Sequence, residues 1–237
     1  MRSIRIDDSC PYCKNRKLLR GSNDLATAYP ELVAEWDFER NGDLGADGVR
    51  FNATKQIWWR GSCGHEWRMS PRQRAAEGLG CPYCSGHRVL AGFNDLASRH
   101  PELLAEWDWE LNGDLGPDGI VSGSARRVWW RCGRGHAWQI SAYNRTGGAD
   151  RGCPYCGDRK VLKGYNDLRT THPKIAREWN KERNGDLKPT DVIASSNKRV
   201  WWKCKEGHEW SGLFLIALFF RDPQDKSFGF HGVSFAA

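Results

Sequence analysis

The tetrapeptide Cys-Pro-Tyr-Cys occurs three times, at Cys10–Cys13, Cys81–Cys84 and Cys153–Cys156, at offsets of 71 and 72 residues. Four other landmarks keep the same order and nearly the same spacing. A Trp-Trp pair recurs at Trp58-Trp59, Trp129-Trp130 and Trp201-Trp202, and a Gly-His-x-Trp follows it at His65, His136 and His208. Asn-Asp-Leu begins at Asn23, Asn94 and Asn166, and Asn-Gly-Asp-Leu at Asn41, Asn112 and Asn184. Chance does not keep five landmarks in register, so the chain is a tandem array of one unit.

Each unit is too small to build a deep core. Below roughly 70 to 80 residues a single core rarely suffices, and a metal, disulfides or a partner usually reinforces it. Thirteen tryptophans in a polar chain point to many shallow cores, each anchored on a few large rings. The cysteine spacing supplies the missing reinforcement. In the second unit Cys132 and His136 form one tight pair, and after sixteen intervening residues Cys153 and Cys156 form another. Two such pairs, each on a turn, can aim four donors at one tetrahedral centre. Thiolates with one imidazole favour Zn2+ over harder ions, and four protein donors leave no place for a reacting water. The first unit departs from this spacing: glycine stands where the second unit has Cys132, and the ligands become Cys63, His65, Cys81 and Cys84. One residue between Cys63 and His65 constrains that turn more tightly than three do.

Two half-sites are left over, Cys10 with Cys13 and Cys204 with His208. Either both stay without metal, which the separation of the chain ends favours, or they complete a third site in a chain that curls back or head to tail between chains. The expected organisation is 1–19 for the orphan half-site, 20–90 and 91–162 for two complete repeats, 163–210 for a repeat cut between its ligand pairs, and 211–237 for a tail unlike the rest. That tail reads as a truncated or frame-altered end, or as an interaction segment.

Within a unit, Asn94-Asp95 suits a cap or turn. His100-Pro101 leads into a helical stretch that puts Leu103, Leu104 and Trp107 on one face. A polar loop follows, then a strand Arg127–Arg131 running into the first ligand pair and Trp138–Ser141 leading out. Lys160–Leu162, after the second pair, reads as a third strand. The fold class is a small metal-stabilised α+β, with tandem zinc-ribbon-like or treble-clef-like modules of a short β-hairpin pair and one short helix.

No secretory leader is visible at the N-terminus, and the longest apolar run, Leu213–Phe220, falls far short of the about 18 residues that span a bilayer. A reducing, cytoplasmic location without membrane contact is expected, where paired cysteines hold metal in preference to forming disulfides. The formal charge of +7 attracts polyanions, nucleic acid first.

At Trp129-Trp130-Arg131-Cys132, Asn144-Arg145-Thr146, Trp201-Trp202-Lys203-Cys204 and Gly207-His208-Glu209-Trp210 the chain resembles a bacterial zinc-ribbon family also described as treble-clef zinc fingers. The resemblance runs from Cys10 to Trp210. Such domains occur in tandem, sometimes fused to very-short-patch-repair-like endonucleases, which implies work on DNA by analogy. The strand read after Cys-Pro-Tyr-Cys inclines the expectation to a ribbon, since a treble clef places a helix there.

Three functions compete. Nucleic-acid binding, DNA favoured, would use Arg72, Arg74, Arg126, Arg127, Arg145, Arg151, Lys198 and Arg199 to neutralise phosphates. One tryptophan of each pair would be core and its neighbour free to stack on a base, because adjacent strand residues face opposite ways. A protein-interaction scaffold is the alternative, as is the zinc-finger part of a nuclease-associated protein. Catalysis by this chain is not expected: no phosphate-cradling loop, nucleophile elbow or His-Glu-x-x-His is present, and Glu35, Glu106 and Glu178 recur beside a core tryptophan as structural residues would.

Overall fold

A computed structural model of the chain describes residues 10–147 and 152–213. Residues 1–9, Arg151 and nearly all of the tail read at 211–237 lie outside the described residues. Among the described residues six short strands form three two-stranded hairpins: β1 (Ile57–Arg60) with β2 (Glu66–Met69), β3 (Arg127–Arg131) with β4 (Ala137–Ser141), and β5 (Arg199–Lys203) with β6 (Glu209–Leu213). The helices among the described residues are three to six residues long. The described residues divide into two compact units, one ending at Val128 and taking in Ser141–Thr146, the other made of Trp129–Ile140 and residues after Gly147.

The hairpins show the period of two that the Trp-Trp pairs imply. Trp59, Trp130 and Trp202 are fully buried, whereas Trp58, Trp129 and Trp201 are half-buried. In the first repeat Trp59 faces Trp67 across the hairpin, and Leu25, Trp36, Ala46, Val49, Ile57 and Met69 complete the core. The third repeat, in the other unit, rebuilds this core from Leu168, Trp179, Val192, Val200 and Trp202.

The repeated polar motifs are the joinery around these cores. In Asn-Asp-Leu, the aspartate caps a helical turn. Asp24, Asp95 and Asp167 each accept the N–H three residues on and that of a glycine three residues back. The leucine that follows is buried. In Asn-Gly-Asp-Leu, the asparagine imitates an edge strand: Asn41 accepts the Trp58 N–H at 2.9 Å and donates to its carbonyl at 2.8 Å, and Asn184 does the same for Trp201. Gly42 and Gly185 turn the chain at φ +57°, where a side chain is strained. The leucine carbonyl then accepts the indole N–H of Trp36 or Trp179.

Two expectations change. The stretch after His100 is a 3-10 helix, Pro101–Glu106, and each repeat has several short helices where one was expected. Lys160–Leu162 is not a strand. Asn166 takes up the Leu162 N–H and the Lys160 carbonyl, at 2.7 and 2.9 Å, so these groups are not offered to a neighbouring strand. No helix among the described residues is long and apolar enough to cross a membrane.

Candidate metal centres

Each hairpin ends in a tight turn that carries the first ligand pair. In the second repeat the Cys132 N–H bonds to the His136 carbonyl, and Gly135, at φ +83°, returns its N–H to Cys132. The second pair sits on a knuckle in which the Gly157 N–H reaches back to the Cys153 carbonyl at 3.1 Å. The knuckle is held from the next repeat. Asn94 donates to the carbonyls of Tyr83 and Arg88, and Asn166 to those of Tyr155 and Lys160. The histidine ring is packed from the same side: His65 lies 4.3 Å from Phe93, and His136 lies 4.1 Å from Tyr165. Each centre is therefore a joint between consecutive repeats.

Two tetrads result. Cys63, His65, Cys81 and Cys84 present donor atoms within 4.8 Å of one another, and so do Cys132, His136, Cys153 and Cys156. Their spacing tests whether a metal fits. With Zn–S of about 2.3 Å and Zn–N of about 2.0 Å, a tetrahedron has S–S edges of about 3.8 Å and S–N edges of about 3.5 Å. Cys132 Sγ lies 3.8 Å from Cys156 Sγ, and the sulfurs of Cys132, Cys153 and Cys156 lie 3.7, 3.7 and 3.3 Å from His136 Nδ1. In the first tetrad His65 Nδ1 is 3.5 and 3.3 Å from Cys81 and Cys84. These are the edges of a coordination tetrahedron, and the donors fit the ion.

The irregular first site has a steric explanation. The Gly61 N–H bonds to the His65 carbonyl, so Gly61 takes the backbone place of Cys132. A Cβ on Gly61 would stand 3.2 Å from the Cys63 sulfur and 3.0 Å from the Trp67 ring. The sulfur displaced two places along the chain thus occupies the space beside residue 61, where any side chain would have to push the sulfur or the Trp67 ring aside by a few tenths of an ångström.

The thiols are electrostatically unequal. Desolvation and the neighbouring sulfurs push Cys84 up to about 11, and burial pushes Cys153 to about 11. The His65 N–H lowers Cys63, and although burial opposes it, the N–H groups of Arg134 and His136 lower Cys132. Each tetrad thus pairs a thiol that ionises readily with one that holds its proton, so metal uptake must displace protons.

A family model for a probable treble-clef zinc finger domain matches residues 32–87, 103–159 and 175–212. The chain belongs to this family. No protein with a curated description matches it. The three matched stretches of treble-clef zinc finger coincide with the three hairpins. The first two end just past a complete tetrad; the third holds the Cys204–His208 pair alone.

The remaining ligand pairs keep the geometry of half-centres. Cys204 Sγ lies 3.5 Å from His208 Nδ1 on the same turn, and the knuckle at Cys10 is tied by Asn23 as the others are by Asn94 and Asn166. Among the described residues neither pair joins a group of three or more donors. One sequence signal separates complete from incomplete knuckles. The residue before Asn-Asp-Leu is Phe93 or Tyr165 after a complete centre and Ser22 after the orphan one.

The basic residues expected to meet phosphate divide sharply. Arg72, Arg126, Arg127, Lys198 and Arg199 are exposed. Arg74 and Arg145 are buried, and that expectation is corrected. Arg74 pairs with Glu35 and packs its guanidinium 5.3 and 5.7 Å from the rings of Trp59 and Trp67. Arg145 pairs with Glu106 at 2.7 Å. A long cation with a planar head can seal the edge of an aromatic core while its charge is met by a half-buried carboxylate, and sequence does not reveal that it points inward.

Proposed function

We propose that this chain is a zinc-stapled tandem array that binds nucleic acid, DNA favoured, without itself catalysing a reaction, in a reducing cytoplasmic setting. The supporting observation is the outer face of the hairpins. There the first tryptophan of the pair is half-buried, with a guanidinium over its ring: Arg40 4.5 Å from Trp58, and Arg183 4.3 Å from Trp201. Aromatic faces beside guanidinium groups, on a chain of net charge +7, suit a polyanion with flat bases. The tetrads use all four donors on the protein, so zinc there serves folding and leaves no open position for hydrolysis. The preference for DNA rests on the family resemblance alone.

The test is a titration of zinc-loaded protein with labelled single- and double-stranded oligonucleotides across a salt series. Affinity that falls linearly in log K against log salt supports the proposal. Absence of binding at low salt rejects it and favours the protein scaffold. That second reading has its own observation: Phe38 and Trp109 occupy equivalent positions in two repeats and are 60% and 61% exposed, a placement suited to apolar partners.

A further inference from the structure

The exposed arginines of the first repeat are mostly neutralised. Arg60 lies 2.8 Å from Glu66, and Arg72 lies 3.5 Å from Glu77. Arg68 and Arg88 differ: neither has a carboxylate partner among the described residues, yet both line one open cleft of about 450 Å³, together with Gln56, Met69 and Gln73. Like charges sharing a cleft repel each other unless an anion is brought between them.

The surrounding groups are those an anion needs. The side-chain oxygen of Gln73 is engaged by the Ser70 N–H and hydroxyl in the capping box, which fixes the amide and leaves its NH2 as donor. Arg68 comes from β2, where its Nη2 lies 3.5 Å from the Gln56 carbonyl. Arg88 comes from the knuckle loop, fixed by its N–H to the Pro82 carbonyl at 3.0 Å and by Asn94 on its own carbonyl at 2.8 Å. A cation stands at this place in every knuckle. Lys17 and Lys160 make the same pair of backbone bonds. The positions of Gln56 and Arg68 are held in the second repeat by Arg127 and Gln139, so guanidinium and amide are exchanged, and Asn144 stands where Gln73 does.

We infer that the cleft between β2, the turn Pro71–Ala75 and the knuckle loop seats one backbone phosphate of a nucleic-acid strand, held by Arg68 and Arg88 together. This rests on the nucleic-acid reading above. The experiment uses the full zinc-loaded chain and a single-stranded thymidine oligonucleotide, with Arg68→Gln, Arg88→Gln, the double variant, and as control Arg20→Gln, at an exposed arginine paired with Asp47. All four changes are at exposed residues, and zinc content and tryptophan emission verify the fold. The expected result is a roughly tenfold loss of affinity at 0.1 M salt for either cleft variant. Because both cations serve one phosphate, the double variant should lose little more than either single one, and its salt slope should fall by about 0.7, the value for one single-strand phosphate. Arg20→Gln should leave the slope unchanged. An unchanged slope in the double variant, or strictly additive losses, overturns the shared phosphate while leaving nucleic-acid binding intact. Failure of the unaltered protein to bind at all removes both.

Discussion

Arg74→Ala separates a structural arginine from a ligand-binding one. The side chain is 8% exposed, donates to Glu35 and, at 2.6 Å, to the Leu79 carbonyl, and lies over Trp59 and Trp67. Hydrogen bonds to a charged group contribute about 1.5–3 kcal/mol. The cation–π contacts, at 5.3 and 5.7 Å near the outer limit of such geometry, add about 1 kcal/mol. Glu35 is partly exposed, so water recovers part of what its carboxylate loses. The sum is about 3 kcal/mol, roughly a hundredfold in the unfolding equilibrium. Arg74→Lys keeps the charge but not the planar fork, and should lose about half as much. Arg72→Ala, two residues earlier and exposed, should stay within about 0.5 kcal/mol. Urea unfolding at saturating zinc, followed by tryptophan emission, reads all three. If Arg74→Ala proved no more destabilising than Arg72→Ala, the claim that this guanidinium seals the core would fail.

Metal analysis of purified protein should return two zinc ions per chain, and chelation should abolish cooperative melting together with the native tryptophan emission; a melt indifferent to chelator refutes metal-dependent folding. Asn94→Ala removes the ties to the knuckle of the first centre and should weaken zinc there by about tenfold or more in chelator competition. Asn23→Ala, which loosens only the orphan knuckle, should leave both tetrads unchanged, and equal effects would count against the joint. Asp95→Asn turns one accepting oxygen into an NH2 beside the Gly92 N–H and the Ser98 hydroxyl, and should destabilise by about 1–2 kcal/mol near neutral pH. Burial would raise the Asp95 carboxyl, but the Ser98 hydroxyl and the N–H groups of Ser98 and Gly92 outweigh it and lower the folded value. The charged cap therefore contributes fully above the unfolded value of about 4 and is lost as pH falls through the lower folded one. The variant's deficit should narrow below about pH 4, and a deficit independent of pH down to complete protonation would contradict this.

The amino-acid sequence by itself determined the repeat, the donors brought together in two tetrads and that one tryptophan of each pair faces inward; the structure decided that it is the second. Each of these rests on spacing: a fixed offset between copies, tight pairs on turns, and the alternation of a strand. Even the irregular Cys63 and His65 were legible as ligands, though the reason Gly61 accompanies them was not, since it lies in the room a sulfur takes beside Trp67. Tertiary structure decided what local pattern leaves open. Arg74 and Arg68 look alike in sequence, yet one is drawn over a tryptophan core by Glu35 and the other is left facing a cleft. The strand read at Lys160–Leu162 was cancelled by one asparagine of the next repeat. In both cases the deciding partner comes from elsewhere in the fold, and only the folded chain sets the distance between them.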